Sequence, residues 1–370
     1  MNPIRVLHVL GGLDLGGAES FVMSLYRAID KNAVQFDFVK HVQKKGVFED
    51  EIVANGGRIF KCPQYTGKNH FAYCKWWNEF LKNHKEYHII HGHVRSTAAV
   101  YLRIAKKYGI TTIAHSHSTS NGSGFSAFIK NIMQYPIRNI ADYLFACSDE
   151  AGKWLYGKDI ISKENYYTIP NGIDLDKFAF DEKKRQTMRL KLNIKPSDFV
   201  LGHVGRMVAP KNHKFLVQLF SEYHKRNKKS KLLLVGDGEL FEIIKNKCNK
   251  LGLSKDVIMP GNKINTEDYY QAMDLFVFPS LWEGLGIVAI EAQANGLPCL
   301  ISENVPKDVL LTKHIKALPL KSVDDWVQSC NNIRQLYRIK SSNEQLNNYN
   351  INKIAKQLQT FYLKQNYKRI

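Results

Sequence analysis

The feature that most constrains this chain is a rhythm. Short β-branched or apolar runs alternate with amphipathic stretches, and the pattern begins again after residue 195. Alternation of this kind is how parallel α/β sheets read, because each parallel strand needs a crossover before the next can form. In the first half, strands are expected at 4–9, 36–39, 58–61, 88–91, 111–114 and 143–146, with helices at 18–29, 71–83 and 97–108. In the second half, strands are expected at 199–204, 231–235, 257–259, 275–278 and 298–301, with helices at 212–227, 239–251, 265–273 and 287–295. Between the halves, Ile169-Pro170-Asn171-Gly172-Ile173-Asp174 is a strong turn signal, and the charged stretch 181–189 follows it without strand character. A length of 370 residues exceeds one ordinary core. The expected organisation is a domain at 1–170, a linker at 171–195 whose turn serves as a hinge, and a domain at 196–345. Residues 341–352 read as a polar loop. Apolar positions 351, 354, 358, 361 and 362 then repeat with a helical period, so a terminal helix packing on a domain surface is expected; the expected organisation assigns this helix, 351–370, to the first domain.

Charge narrows the partners. There are 53 Lys and Arg against 34 Asp and Glu, a net charge of +19. Nucleic acid, an anionic membrane surface or a phosphate-bearing substrate would each suit it. The basic residues are dispersed, as in Lys183-Lys184-Arg185, Lys225-Arg226 and Lys228-Lys229, with no zinc-finger or RNA-binding signature. That favours a membrane surface or phosphate chemistry, and nucleic acid is not an expected partner. Six cysteines, at 62, 74, 147, 248, 299 and 330, have no paired metal-ligand spacing and read as reduced, mostly buried thiols. No run nears the roughly 18 apolar residues of a membrane span. Gly11-Gly12 interrupts the first apolar run too early for a signal peptide, so a cytoplasmic address is expected.

The most informative segment is Pro279-Ser280-Leu281-Trp282-Glu283-Gly284-Leu285-Gly286-Ile287, which follows an apolar strand and opens a helix. Gly284 and Gly286 leave backbone N–H groups accessible at a positive helix end. Glu283 precedes that turn, and Glu291 lies inside a helix with Ile287, Val288 and Ile290 before it and Ala292 and Ala294 after it. Carboxylates suit hydroxyl-rich ligands, since each accepts charge-assisted bonds from vicinal hydroxyls. A solvated pair is the bland alternative, and the apolar setting of Glu291 argues against it.

Arg206 closes a strand in Gly205-Arg206-Met207-Val208-Ala209-Pro210-Lys211, and Lys211 stands just before a helix. Both fall at the carboxyl edge of a sheet, where α/β folds bind ligands. Two cations there fit a diphosphate, although a surface pair would look the same. Gly236-Asp237-Gly238 is a partial glycine turn, weak as evidence for a dinucleotide. Gly261-Asn262 is another strand-end loop whose backbone could meet a nucleobase.

In the first half, Gly16-Gly17 lies between a strand and a helix, where backbone N–H groups can approach a phosphate or an acceptor. His91, His93, His115 and His117 cluster after two strands. Zinc is one reading, but no acidic or cysteine partner completes a site, and no metal is expected. Asp174-Leu175-Asp176 matches a metal-holding pattern of another transferase class, yet it follows the interdomain turn and reads as incidental.

Taken in order, Arg206 with Lys211, the Gly236-Asp237-Gly238 turn and the pair Glu283 and Glu291 resemble glycosyltransferase family 4. The glycine loop from Gly11 to Glu19 and Asn171-Gly172-Ile173-Asp174 are similar to the family's N-terminal loop and interdomain motif, so the resemblance covers nearly the whole chain. The stretches His115-Ser116-His117-Ser118-Thr119-Ser120 and Glu291-Ala292-Gln293-Ala294-Asn295-Gly296-Leu297-Pro298 resemble bacterial capsular and exopolysaccharide transferases. The resemblance implies the GT-B fold, two facing Rossmann-like domains with a cleft between them. It implies a retaining, metal-independent transfer from a nucleoside-diphosphate sugar, UDP-sugar in the first instance, to a hydroxyl of a glycan or polyprenyl-linked saccharide, without a cofactor. Donor contacts are then expected from Gly16, Gly17, Arg206, Lys211, Gly236, Gly261, Asn262, Glu283, Gly284, Leu285, Gly286 and Glu291. Arg206, Lys211, Glu283 and His117 would carry the chemistry, His117 facing the donor sugar, with His115 left open for the same place. Peripheral attachment at the inner membrane face follows from a lipid-linked acceptor. Two rival readings are a nonenzymatic nucleic-acid binder and a GT-B epimerase of nucleotide sugars.

Overall fold

Strands buried on both faces read as continuous apolar runs, and the first of them does so in the three-dimensional structure as well. In a computed structural model of the chain, which describes residues 2–117, 131–334, 338 and 344–367, β1 (Ile4–Leu10) is buried from Val6 to its end. The chain divides into two compact units, Met1–Ile173 with Asn348–Ile370, and Asp174–Asn347.

The first unit is built on β1, β2 (Val34–Lys40), β3 (Ile59–Lys61), β4 (Tyr87–Gly92), β5 (Thr111–Ser116), β6 (Tyr143–Ala146) and β7 (Tyr166–Thr168). They form one seven-stranded sheet in the order β3-β2-β1-β4-β5-β6-β7, and the pairs are parallel. The chain leaves β1 towards one edge and resumes at β4 towards the other. Loops that diverge at such a switch point open a crevice at the carboxyl ends of the strands. Helix Gly17–Ala28 covers one part of the sheet with Phe21, Val22, Met23, Leu25 and Tyr26 buried. Helix Ile351–Tyr367 brings Ile351, Ile354, Ala355, Leu358 and Tyr362 into the same core, beside Phe36, Ile89, Phe145 and Ile169. Burying one such large apolar side chain stabilises by about 1.5–3 kcal/mol, so the helix is part of this core. Its entry is held by backbone bonds, Ile173 N to Tyr349 O at 2.8 Å and Ile351 N to Ile173 O at 2.9 Å.

One buried charge anchors the sheet. Asp37 of β2 has no exposed side-chain surface, and it accepts from Arg5 Nε at 2.6 Å, Arg58 Nε at 3.0 Å and the Tyr87 hydroxyl at 2.7 Å. Burial alone would make it a weaker acid, because it disfavours the charged form. The bonds from Arg5, Arg58 and Tyr87 outweigh that and hold the carboxyl below its ordinary range.

The second unit contains β8 (Phe199–Val204), β9 (Ser230–Val235), β10 (Val257–Gly261), β11 (Leu275–Phe278), β12 (Cys299–Ser302) and β13 (Ile315–Leu318). The order is β10-β9-β8-β11-β12-β13, again with parallel pairs. Its switch point falls between β8 and β11. Helices His213–Arg226 and Val323–Ile333 pack on the sheet through Leu216, Leu219, Phe220, Trp326 and Cys330, which are buried with Leu232 and Val277.

The stretch expected as a linker departs from that expectation. Within 171–195 lie the helices Leu175–Phe178 and Glu182–Lys191, both in the second unit. Arg185 reaches Asp274 at 2.6 Å, and Arg189 reaches Asp274 at 3.2 Å and the carbonyl of Asp198 at 2.6 Å. The arginines of the charged stretch are what tie it down. Asp174 caps the shorter helix by accepting from Lys177 N at 3.1 Å, which accounts for one aspartate of the Asp-x-Asp pattern. No described helix is long and apolar enough to cross a membrane. All six cysteines are free, five of them buried and Cys74 partly so.

Candidate active site

The two units present separate clusters at the carboxyl ends of their strands. In the second unit, the loops after β8 and β11 meet at the switch point. Lys211 Nζ donates to Glu283 Oε1 at 2.7 Å, with both side chains mostly buried, and the ammonium stands 5.0 Å from the centre of the Phe278 ring. The backbone joins the loops too, Leu281 N donating to Pro210 O at 2.8 Å. Asn212, in the left-handed region at φ 53°, turns the chain from Lys211 into helix His213–Arg226. Arg206 lies exposed at the start of the loop.

The glycines have separate uses. Gly236 takes φ +138°, and a Cβ there would stand 2.1 Å from the carbonyl oxygen of Gly205. Two strand-end loops thus pass in backbone contact, which only glycine allows at this position. Gly236 N also donates to Gly261 O at 3.0 Å, linking the Gly261-Asn262 loop to the same edge. Gly286 caps helix Ile287–Ala294 at φ +89° without a side-chain cap of its own, an arrangement that favours an anion. Leu285 is buried beside it.

Glu291, inside that helix, accepts from the Tyr270 hydroxyl at 2.7 Å. Burial pushes its carboxyl up to about 7, with the Tyr270 bond opposing, Glu267 adding to the rise, and Lys177 and Lys211 drawing it back. Glu267 is itself paired with Lys177 at 3.0 Å. The structure therefore gathers Lys211, Glu283 and Glu291 along one sheet edge, with Tyr270, Glu267 and Phe278 as partners absent from the sequence expectation. A signal for Tyr270 existed. It occupies a helix just before β11, on the apolar Tyr269-Tyr270 pair.

In the first unit, Gly16 caps helix Gly17–Ala28, again without a side-chain cap. A Cβ on Gly16 would stand 2.2 Å from a Glu19 carboxylate oxygen, while one on Gly17 would meet nothing. The Glu19 side chain thus folds back over the helix start where a phosphate was expected.

Five imidazoles fill the ends of β1, β4 and β5: His8, His91, His93, His115 and His117. His8 was not among the expected residues, although it pairs with His91 across β1 and β4. His93 Nδ1 lies 2.8 Å from His117 Nε2, His8 Nδ1 3.0 Å from His93 Nε2, and His91 Nε2 3.1 Å from His115 Nδ1. His117 is partly exposed, and the others are buried. Burial holds all five rings below the usual histidine range, His8 and His117 down to about 3. Two trios, His8/His91/His93 and His93/His115/His117, bring ligand-type nitrogens within 4.8 Å of one another. Neither trio includes a carboxylate or thiolate, so a dication there would be buried without an anionic ligand. Ser118, Thr119 and Ser120 of the same motif lie outside the described residues.

Comparison with known proteins gives the arrangement its context. The family described as Glycosyltransferase Family 4 matches residues 15–177, and that described as Glycosyl transferases group 1 matches residues 184–353. EpsF of Bacillus subtilis (strain 168), named as a glycosyltransferase, is 34% identical over 310 residues, covering 82% of this chain and 80% of EpsF. The UDP-Gal:alpha-D-GlcNAc-diphosphoundecaprenol alpha-1,3-galactosyltransferase of Escherichia coli is 26% identical over 303 residues, 77% of each chain. Among solved structures, HepE of Anabaena in complex with UDP and glucose superposes with a TM-score of 0.79 at 17% identity, over 97% of this chain and 99% of HepE. That likeness bears on the fold alone. Two parallel-sheet α/β domains of this kind define the GT-B class of glycosyltransferases. The chain belongs to glycosyltransferase family 4 and is an enzyme of that type.

Proposed function

We propose that this enzyme moves a sugar from a nucleoside-diphosphate sugar, UDP-sugar in the first instance, to a hydroxyl of a glycan or polyprenyl-linked saccharide, with retention and without a metal, in exopolysaccharide or capsule synthesis. The observation that carries the reading is the meeting of Lys211 and Glu283 from two loops at the switch point of the second sheet, with Glu291 further along the same edge. A fixed cation at a strand-end crevice is suited to a diphosphate, and carboxylates beside it to sugar and ribose hydroxyls. The name of the Escherichia coli relative, which specifies UDP-Gal and a diphosphoundecaprenol acceptor, supports the choice of donor and acceptor class.

In this reading Lys211 and Arg206 stabilise charge growing on the leaving diphosphate, helped by the N-terminus at Gly284-Leu285-Gly286 and, once the Glu19 carboxylate has left the helix start, by Gly16-Gly17. Glu283 holds the sugar hydroxyls once the diphosphate has drawn Lys211 from it, and Glu291 holds the ribose. The loop edges at Gly236, Gly261 and Asn262 lie against the nucleoside, and His117 faces the donor sugar. The leaving phosphate takes the acceptor's proton, so no side chain acts as base. The net charge of +19 favours an anionic membrane surface, where a lipid-linked acceptor resides.

The test is release of nucleoside diphosphate from a panel of UDP-, GDP- and ADP-sugars, with and without polyprenyl-diphosphate saccharides. Acceptor-stimulated UDP release with the product anomer matching the donor is the expected result. Absence of release from every UDP-sugar in the presence of lipid-linked acceptors would overturn the donor assignment, and an inverted product would overturn retention.

A further inference from the structure

The five imidazoles fall into two hydrogen-bonded sets, the pair His91 and His115 and a chain of three. One chain runs His8 Nδ1 to His93 Nε2 at 3.0 Å, His93 Nδ1 to His117 Nε2 at 2.8 Å, and His117 Nδ1 to Asn171 Oδ1 at 3.3 Å. A neutral ring offers one N–H and one lone pair, so choosing the proton position on any ring sets it on all three. Two directions are available. If the donors point towards His8, its Nε2 carries a proton, yet that atom is buried with no partner among the described residues, in a ring packed by Phe36 and Phe38. If they point towards Asn171, the same atom is a bare lone pair and the last proton, on His117 Nδ1, meets the Asn171 oxygen. Stranding an N–H is the costlier choice, so the second direction holds.

A charged ring is no escape. Among the described residues, the groups facing His117 are His93, His115, Asn171 and the tilted ring of Phe21, with the Arg95 guanidinium acting on it at longer range. None of them is an anion, and Arg95 repels a second positive charge.

We propose that His93, backed by His8, is a positioning residue that fixes His117 as the neutral tautomer protonated on Nδ1, so that His117 meets a sugar hydroxyl as a hydrogen-bond donor and neither as a base nor as a cation. The Nε2 lone pair is occupied by the shorter bond from His93. The longer bond to Asn171 is the one a substrate oxygen can replace. This rests on the proposal above that His117 faces the donor sugar, but the tautomer can be read without it.

The experiment is long-range proton–nitrogen correlation spectroscopy of the full chain labelled with nitrogen-15 histidine, between about pH 5.5 and about pH 8.5, where a histidine of ordinary acidity titrates. His117→Gln assigns the His117 signals. The expected wild-type spectrum has His117 protonated on Nδ1 throughout, without titration. In His93→Leu the Nε2 lone pair is released, His117 begins to titrate, and kcat/KM for the sugar donor gains an acid limb that the wild type lacks. His8→Leu, one ring further back, should leave His117 neutral but mix its tautomers. A wild-type His117 protonated on Nε2, or titrating in the ordinary range, overturns the proposal, and that reading depends on no variant other than the one used for assignment. Stoichiometric zinc uptake that shifts all five rings also overturns it, because the rings are then ligands. If the tautomer is as expected but His117→Gln transfers sugar at the wild-type rate, the wiring stands and the sugar-facing role falls.

Discussion

Glu291 offers a pH experiment with a magnitude. Its carboxyl sits near 7 because burial raises it further than Tyr270, Lys177 and Lys211 can lower it. A group centred there is about one-tenth ionised at pH 6 and about nine-tenths at pH 8. If ribose hydroxyls bind the carboxylate, affinity for a sugar nucleotide should weaken about ninefold from pH 8 to pH 6. The Tyr270 hydroxyl donates to the charged form at 2.7 Å. A bond of that kind is worth about 1.5–3 kcal/mol. Tyr270→Phe should therefore move the midpoint up by about one to two pH units and cost about five- to fiftyfold in affinity at pH 7. Glu291→Gln should bind weakly at every pH, with the slope gone. Calorimetric titration with UDP-glucose suits the purpose, since its diphosphate ester does not titrate in this range. The sign for stability runs the other way from an ordinary ion-paired acid. A raised folded value means the native state keeps its proton longer, so the free enzyme loses stability as pH rises from the ordinary carboxyl range through about 7. A flat binding profile between pH 6 and pH 8 in the wild type, or an unchanged slope in Glu291→Gln, would refute the reasoning.

Three further outcomes are expected. Lys211→Ala should lower turnover by about 100-fold or more if the ammonium meets developing charge, measured as UDP release at saturating donor; a wild-type rate would remove it from the chemistry. Asp37→Asn should destabilise by about 1–3 kcal/mol in denaturant titration, because the buried position then accepts fewer bonds from Arg5, Arg58 and Tyr87, while the two arginines keep partial access to water. The wild-type carboxyl is held low when folded, so its contribution is present above the ordinary aspartate value and lost as pH falls through the folded one. Gly236→Ala should cost on the order of 1–3 kcal/mol in thermal or denaturant unfolding, since its Cβ would overlap the Gly205 carbonyl, and sugar-nucleotide binding should weaken with it.

The sheets were legible because parallel strands buried on both faces are written as apolar runs, as in Leu232, Leu233 and Leu234 of β9. Strands β7 and β13 escaped for the opposite reason. Tyr166-Tyr167-Thr168 and Ile315-Lys316-Ala317-Leu318 are short edge strands with an exposed or charged member, and their pattern is no stronger than a loop's. The stretch 181–189 read as part of a boundary because it is charged and lacks strand character, whereas Arg185 and Arg189 spend their charges on Asp274, far off in sequence. For the candidate site, the loops and the types of residue were visible, since strand-to-helix turns rich in glycine announce themselves. What pairs with what was not. The contacts of Lys211 with Glu283, and of Tyr270 with Glu291, depend on which strands are neighbours. His8 was missed because a single histidine in a strand carries no spacing; only the β1–β4 register sets it against His91.

The first unit is written in two places along the chain. Its sheet is complete by Thr168, yet Leu358 and Tyr362, which cover part of that sheet, are translated only after the whole second unit. During synthesis the early sheet must wait with an apolar face open while the later one forms. A stop codon shortly after residue 347 would consequently injure the half of the protein that was made first, and leave intact the half that was made last.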